Sequence, residues 1–321
     1  MSIEISKLKN GLPIVTDYMQ DVETVCITFR VRTGSRYESK KYNGLSHFIE
    51  HMCFKGTNKR TAKQIAEDFD NLGGIFNAYT SMEYTVYYCK ILKENTEKAM
   101  EILSDILLNS KYAEEDIEKE RGVILQEIAA SKDDPSDMAS EYFYSTLYPN
   151  QAIGRSIAGS EKNVKSFQRE DFIKYIEERY NNESILVSIA GKFKHEEARK
   201  IAEKYLLNVK KGKYSLPKQA EYVGGDFRKQ KKLEQIQFLM GFNSFGYLDD
   251  RMYTAKILSG VLGSGQSSRL FQEAREKRGL CYYIAAFNSS NMDSGVFGIS
   301  SGVSAEKINE LIDTIATELK K

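Results

Sequence analysis

Two of the three histidines of the chain lie in a single five-residue segment, H-F-I-E-H at residues 47–51. If this segment is helical, His47 and His51 lie one turn apart on one face, where both imidazoles can bind one metal ion. Glu50 lies at the edge of that face, where a carboxylate can take a proton from water without being a ligand. This H-x-x-E-H order predicts a zinc-dependent hydrolytic site. The alternative is a chance pair of partly buried histidines in an amphipathic helix.

A catalytic zinc ion takes three protein ligands and keeps one position open, so a third ligand is expected. His195 begins a charged helical pattern, and we interpret it as a surface histidine. Glu127 is the better candidate, because the apolar stretch 123–130 surrounds it and a carboxylate there is costly unless paired or metal-bound. Without the two histidines, a partly exposed acid at a helix edge would be the simpler interpretation of Glu127. Glu120 lies two turns earlier on the same stripe and could accept a hydrogen bond from a ligand histidine.

The elements that must position these residues follow an order that occurs twice along the chain. The first half predicts strands at 12–18 and 24–34, helices near 44–54 and 62–72, a strand-rich stretch at 75–92, helices at 94–109, 114–131, 136–147 and 168–180, a strand at 185–191 and a helix at 195–207. The second half predicts a strand at 234–242, helices at 249–262 and near 267–277, strands at 281–289 and 295–303, and a helix at 304–320. We interpret the shared order as a structural repeat of an α+β unit.

The predicted fold class is therefore α+β, with two structurally similar domains, each a mainly antiparallel sheet with helices packed on it. The first, zinc-binding domain is expected at 1–210 and the second at 220–321, joined by a basic linker at 208–222 that contains Gly and Pro. About a hundred residues follow the equivalent helix in the first copy, whereas the second copy stops after 304–320. The second domain is expected to be short or truncated, and the sequence leaves open whether the chain is a fragment.

Composition excludes some classes of function. The chain has 321 residues, and its 46 basic and 45 acidic side chains nearly cancel, so neither a nucleic-acid-binding nor an anionic-membrane-binding protein is expected. No apolar run reaches the roughly 18 residues that a membrane span needs. The N-terminus has no apolar signal region, and the four widely spaced cysteines are typical of a reducing compartment, so we expect a cytoplasmic protein.

These motifs resemble those of the pitrilysin/insulinase family of zinc peptidases, and most of all its mitochondrial-processing-peptidase-like branch. That family pairs H-x-x-E-H with a glutamate farther along the chain that follows another glutamate by seven residues. Here Glu127 follows His51 by 76 positions, and Glu120 precedes Glu127 by seven. The segment N-A-Y-T at 77–80 resembles the family's substrate-binding edge strand. Two further segments, S-R-L-F at 268–271 and R-G-L-C-Y at 278–282, resemble its second-domain signature. The resemblance covers nearly the whole chain.

The resemblance implies a zinc metalloendopeptidase with one Zn²⁺ per chain that acts on short or unfolded polypeptides. Substrate would lie extended along the strand that contains Asn77, Ala78 and Tyr79. Glu50 would take the proton of the attacking water and pass it to the leaving amine. Arg278 and Tyr282 would contact substrate near the scissile bond. In two-chain members of the family the partner subunit supplies them, so we expect a homodimer or a heterodimer with a related subunit.

Processing peptidases of this family also hold a basic substrate residue with two acids. The matching positions here are Asp137 and Glu141, one turn apart on a helix, so both can face one guanidinium. The alternative is an acidic face that only contacts solvent. Family members often have Arg where this chain has Met82, which removes any charge contact at that point.

Two other functions are also compatible with the sequence. The first is a non-catalytic structural or partner subunit of a peptidase complex, and the short second domain is compatible with this role. The second is a different metal hydrolase that uses the same three ligands on another substrate. The physiological substrate and the choice between homodimer and heterodimer are not decided by the sequence.

Overall fold

The computed structural model describes residues 3–321, and these form two compact units. Of these residues, the first unit comprises 3–128 and Ser156–Pro217, and the second comprises Ala129–Arg155 and Lys218–Lys321. The second unit is therefore discontinuous in sequence. The sequence-based prediction placed all residues up to 210 in the first domain. The structure instead assigns Ala129–Arg155 to the second unit.

The first unit is built on a six-stranded sheet. Its strands are β1 (Ile3–Lys7), β2 (Pro13–Tyr18), β3 (Thr24–Val31), β4 (Ile75–Thr80), β5 (Thr85–Leu92) and β6 (Ile185–Gly191). They lie in the order β1-β2-β6-β3-β5-β4, and only the β2–β6 pair is parallel. Every second residue of β3 is buried, because alternate side chains point to opposite faces of the sheet. The sheet is mainly antiparallel, as predicted, and β4 lies at one edge.

Helices lie between and after these strands along the chain, and two of them carry the candidate site. They are α1 (Leu45–Met52), α2 (Ala62–Leu72), α3 (Thr96–Leu108), α4 (Glu114–Asp133), α5 (Pro135–Leu147), α6 (Glu161–Ser166), α7 (Arg169–Arg179) and α8 (His195–Leu206). Helix α5 and the last residues of α4 belong to the second unit. Helix α1, which contains the H-F-I-E-H segment, is held by its apolar face: Phe48 is fully buried and meets the ring of Phe172 edge-on at 4.9 Å. The orientation of α1 is therefore fixed by core packing.

A buried carboxylate holds the beginning of α1. Glu38 accepts hydrogen bonds from the backbone amides of Gly44 at 2.8 Å and Ser46 at 2.6 Å, and from the side-chain amide of Asn43 at 3.1 Å. Burial raises the pKa of Glu38, and these donors partly offset that effect. The first amides of a helix have no partner within the helix, so an acceptor at this position stabilises it.

Removing this acceptor is expected to destabilise the first unit. In Glu38→Ala the buried amides of Gly44 and Ser46 lose their acceptor, and the free energy of unfolding should fall by about 1–3 kcal/mol. Urea unfolding followed by circular dichroism measures the change. Glu38→Gln is the comparison variant, because its single amide oxygen can replace one of the two acceptor oxygens, and it should lose less stability than Glu38→Ala. Equal midpoints for the wild type and Glu38→Ala would contradict the role given to this carboxylate.

The second unit repeats the core of the first. It contains β7 (Ile236–Ser244), α9 (Arg251–Gly263), β8 (Cys281–Ser290), β9 (Gly295–Val303) and α10 (Ile308–Lys320), with a π-helical segment at Phe271–Lys277. Its strand order β7-β9-β8 matches β3-β5-β4 of the first unit. Strand β7 thus corresponds to β3, and α10 corresponds to α3. The α+β repeat predicted from the sequence is confirmed, and the helix predicted near 267–277 takes a π-helical form.

Three details differ from the sequence-based expectations. Strand β1 and helix α6 were not predicted. His195 is not a surface residue: its side chain is buried, with Ser6 Oγ 2.8 Å from Nε2 and Thr16 Oγ1 2.8 Å from Nδ1. It connects α8 to β1 and β2, which a charged flanking sequence does not reveal.

Among residues 3–321, no helix combines the length and the apolar character that crossing a bilayer requires.

Candidate metal centre and active site

Three predicted ligands converge between helices α1 and α4. The Nε2 atoms of His47 and His51 lie 3.8 Å and 3.7 Å from Oε2 of Glu127. The two imidazole rings lie 4.6 Å apart in an edge-to-face arrangement. The one-turn spacing on α1 directs both rings to the same side, and α4 brings the carboxylate to them. All three donor atoms lie within 4.8 Å of one another.

This donor set fits a zinc ion. Bonds of about 2.0–2.1 Å place tetrahedral donors about 3.3 Å apart, slightly closer than the distances observed here. Burial, with a smaller contribution from the neighbouring His51, lowers the pKa of His47 to about 4. His47 is therefore neutral near pH 7 and offers a lone pair without first losing a proton. Two imidazoles and one carboxylate are also the ligands of many catalytic zinc sites.

Glu120 orients one of the two histidines. Its Oε1 lies 2.9 Å from Nδ1 of His51, and its Oε2 lies 2.6 Å from Nζ of Lys55. The carboxylate is almost completely buried, so its position is fixed by these two contacts. A hydrogen bond at Nδ1 leaves Nε2 of His51 free to face Glu127, which is the arrangement that metal-binding histidines usually have.

The Glu120→Gln variant is expected to bind zinc about 10–100-fold more weakly than the wild type. The amide can still contact the ring, but it no longer supplies the negative charge that makes Nε2 of His51 a better donor. Competition with a chromophoric chelator measures the dissociation constant. The control is Glu115→Gln, on an exposed turn of the same helix, where Glu115 pairs with Lys119. Equal weakening in both variants would show that the effect is not specific to the His51 contact.

Glu50 lies beside the three ligands and is not one of them. Its carboxyl is buried, and its Oε2 accepts a hydrogen bond of 2.5 Å from Oγ1 of Thr80. Burial raises the pKa of Glu50, the hydrogen bond from Thr80 and the neighbouring His51 lower it, and the charge of Glu127 raises it. A carboxyl with a raised pKa can both accept and return a proton near neutral pH, as a general base and acid must.

A cleft of about 290 Å³ lies next to Glu50, between α1 and the edge strand β4. Strand β4 pairs with β5 alone among residues 3–321, so one side of its backbone has no strand partner. Of the three predicted substrate-binding residues, Asn77 and Ala78 line the cleft, and Tyr79 is an exposed residue of the same strand. The remaining lining residues are His51, Phe54, Lys55, Phe76 and Glu120. The roles of Asn77, Ala78 and Tyr79 in binding peptide stay predictions.

Four other predicted site residues lie in the second unit. Arg278 is half-exposed, with Nη1 3.5 Å from Oε1 of Glu310, and Tyr282 is 79% exposed at the beginning of β8. Asp137 and Glu141 lie one turn apart on α5, and neither has an ion-pair partner among residues 3–321. All four side chains have the accessibility that substrate binding needs, and their roles stay predictions.

The surroundings of Glu127 differ from those expected from the sequence, and two contacts near the site were not predicted. Glu127 is not an acid buried in an apolar stretch: its side chain is 45% exposed, and nearby Val123 is exposed too. Glu127 therefore has no burial cost that a metal ion would have to offset, although it does lie beside both histidines. The contacts of Thr80 with Glu50 and of Lys55 with Glu120 were not predicted. Each of these contacts joins residues from two separate elements. The only feature of the sequence that pointed to either contact was the position of Lys55 one turn after His51.

Comparison with known proteins agrees with this geometry. Residues 14–161 match the sequence model of the insulinase family (peptidase family M16), and residues 166–321 match that of the peptidase M16 inactive domain. A Rickettsia felis protein named as an uncharacterized zinc protease is 45% identical over the whole chain, which covers 78% of that protein. The chain belongs to the insulinase family, peptidase family M16. The M16 assignment confirms the resemblance inferred from the motifs.

Other M16 relatives extend the comparison. YmxG of Bacillus subtilis, named as an uncharacterized zinc protease, is 35% identical over 97% of this chain and 76% of its own length. The mitochondrial-processing peptidase subunit beta of Bos taurus is 31% identical over 98% of this chain and 66% of its own length. A protease from Helicobacter pylori superposes with a TM-score of 0.92 at 22% identity, with all of this chain and 79% of that chain covered. The likeness to the solved structure confirms the fold.

Proposed function

We propose that this M16 chain is a zinc-dependent endopeptidase that hydrolyses peptide bonds in short or unfolded polypeptides. The observation that carries the proposal is the convergence of His47, His51 and Glu127, with buried Glu50 beside them, next to a cleft bounded by an open strand edge. The zinc-protease names of the relatives support metal-dependent peptide hydrolysis as the reaction class.

His47, His51 and Glu127 would hold the zinc ion, which when bound acts as a Lewis acid on the scissile carbonyl and lowers the pKa of water. Glu50 accepts the proton of the attacking water and then donates it to the leaving amine. Thr80 donates a hydrogen bond to Oε2 of Glu50, and this bond leaves Oε1 of the same carboxyl available for the proton of the attacking water. This sequence of proton transfers needs a carboxyl of raised pKa, as Glu50 has.

The substrate would bind as an additional strand along the free edge of β4, with main-chain hydrogen bonds that do not depend on the substrate sequence. Such binding selects for extended chains, because main-chain groups already paired within a folded protein cannot also pair with β4. Asp137 and Glu141 would bind a basic side chain near the cleaved bond, and Arg278 and Tyr282 would contact the substrate near that bond. The active form would be a dimer with a second copy or a related subunit, in the cytoplasm.

A fluorogenic peptide with arginine two residues before the scissile bond tests this function. We expect cleavage that stops on chelation and returns when zinc is added. A peptide with leucine in place of arginine is the control for Asp137 and Glu141, and it should be cleaved more slowly. Cleavage that persists after complete removal of metal would overturn the zinc mechanism. Equal rates on both peptides would remove the proposed basic preference and leave the reaction class intact.

A second candidate function is a non-catalytic subunit of a peptidase complex. It is the alternative to catalysis that the sequence leaves open, and the match of residues 166–321 to the domain described as inactive does not decide it, because the three candidate metal ligands lie within the other match, residues 14–161. The same experiment separates the two functions. A chain that binds one zinc ion, folds normally and cleaves no peptide, alone or mixed with a related subunit, would support the non-catalytic function.

A further inference from the structure

A short segment between β3 and α1 contacts the structures on both sides of the cleft beside Glu50. We call residues 33–38 the bridging segment. Five of its six residues are buried, although it is connecting chain. Connecting segments usually run over the surface, because buried backbone groups need hydrogen-bond partners. The partners of the bridging segment therefore show which elements it holds in place.

One end of the bridging segment holds α1. Glu38 accepts hydrogen bonds from the backbone amides of Gly44 and Ser46 at the beginning of this helix. The same helix carries Glu50 and the two candidate histidine ligands. The position of these groups along one side of the cleft is therefore tied to Glu38.

The other end of the bridging segment holds the turn between β4 and β5, residues 81–84. The amide of Ser35 donates to the carbonyl of Ser81 at 3.3 Å, and the amide of Arg36 donates to the carbonyl of Met82 at 2.8 Å. Two consecutive backbone hydrogen bonds restrict how far the turn can move from the bridging segment. They therefore fix the end of β4, the strand on the other side of the cleft.

A buried ion pair joins the same two segments. Nη1 of Arg36 lies 2.5 Å from Oε1 of Glu83, and both side chains are almost completely buried. Such a pair contributes little net stability, because the desolvation of both charges offsets their attraction, but it restricts where the two groups can meet. We therefore expect its main effect on the position of the turn and only a small effect on the stability of the fold.

Gly34 allows the two backbones to approach closely. A Cβ atom on Gly34 would lie 2.3 Å from the carbonyl oxygen of Ser81 and 2.8 Å from that of Met82. The φ angle of Gly34 is −172°, which any residue can adopt, so the glycine is required for space alone. Because the opposing atoms belong to the backbone, a side chain at position 34 would push the turn away from the bridging segment.

We propose that Gly34, Arg36 and Glu83 are positioning residues of the candidate active site. They set the distance between the β4–β5 turn and α1, and with it the place where substrate on β4 meets the catalytic groups. Thr80, the last residue of β4, lies directly before this turn and donates its hydrogen bond to Glu50. A displacement of about 1 Å between reacting groups can lower a rate by about 10²-fold. This inference rests on the proposed peptidase function.

The Gly34→Ala variant tests the spacing and leaves the ion pair chemically intact. We expect kcat for the fluorogenic peptide to fall by roughly tenfold or more and KM to change by less than about twofold, because the open edge of β4 still binds peptide while the reacting groups are displaced. Zinc content should stay at one ion per chain, since no ligand changes. Gly260→Ala is the matched control, because a Cβ on Gly260 in α9 meets no atom within 4 Å, and its kinetics should equal those of the wild type.

The Arg36→Met/Glu83→Leu variant tests the ion pair by removing both of its charges together. Its midpoint of urea unfolding should stay close to that of the wild type, because apolar side chains can replace a buried ion pair at little cost. Its kcat should fall as in Gly34→Ala. If this variant unfolds, Glu83→Gln replaces it. Hydrogen exchange of the amides of residues 81–84 should be roughly fivefold or more faster than in the wild type, and this measurement does not depend on cleavage.

The kinetic and exchange results together decide the proposal. Lower kcat with unchanged KM, zinc content and unfolding midpoint, together with faster exchange in residues 81–84, supports it. Wild-type kinetics in Gly34→Ala and in Arg36→Met/Glu83→Leu overturn it, and so does a loss of activity that only follows loss of zinc or of fold. If the wild type itself cleaves no peptide, the proposed function fails, and exchange alone decides the positioning of the turn: unchanged exchange in both variants overturns it.

Discussion

The Glu50→Gln variant is expected to lose peptide cleavage by about 10²–10⁴-fold in kcat and to keep its zinc. Glutamine has nearly the shape of glutamate and can still contact the hydroxyl of Thr80, but it cannot accept a proton from water. The ligands His47, His51 and Glu127 are unchanged, so metal content should stay at one ion per chain. Kinetics with the fluorogenic peptide and elemental analysis measure both quantities. Full activity in Glu50→Gln would show that another group moves the proton.

A Thr80→Val control isolates the environment of the same carboxylate. The hydrogen bond from Thr80 lowers the pKa of Glu50, so its removal should raise that pKa further. Because the deprotonated form accepts the proton, the acid limb of the kcat/KM profile should move to higher pH. A profile that keeps its acid limb while the rate falls would show that Thr80 acts only on substrate.

The His51→Ala variant is expected to lose its zinc. Two protein ligands remain, and a catalytic zinc site needs three. After dialysis, the zinc content should fall from one ion per chain to nearly none, and cleavage should fall with it. Because the ring of His51 also contacts Glu120, the variant additionally removes one partner of that buried carboxylate and leaves it paired with Lys55.

His195→Ala is the matched control, because it removes the one histidine outside the site. It should keep its zinc and lose stability by about 1–3 kcal/mol, since Ser6 and buried Thr16 lose their hydrogen-bond partner. The two variants therefore separate loss of metal from loss of fold. A His51→Ala chain that retains one zinc ion, or a His195→Ala chain that loses it, would show that the ligands are wrongly assigned.

Local signals in the sequence predicted the helices that carry the site. The bounds of α2 are those expected, because Thr61 and Gln64 form a capping box at its beginning and Gly73 takes the left-handed conformation at its end. The facing positions of His47 and His51 follow from helical geometry alone. These features depend on residues no more than a few positions apart, and a single sequence contains them in full.

Features that depend on distant residues were less predictable. The environment of His195 depends on Ser6 and Thr16, which lie almost the whole first unit away in sequence. Glu127 was chosen for its apolar neighbours, but an apolar stretch on a helix does not tell which face is buried. Glu38 shows the same limit, because its position before α1 is visible in the sequence while its burial is not.

The place of β6 in the middle of the first sheet delays the completion of that sheet during synthesis. Val31 pairs with Ile185, so the contact closes a loop of about 150 residues, and such non-local contacts form slowly. Until β6 leaves the ribosome, β2 and β3 each present an open edge that can pair with another nascent chain. We therefore expect refolding of the first unit to be slow and its yield to fall with protein concentration. A helper that shields strand edges would raise that yield without any effect on the folded protein.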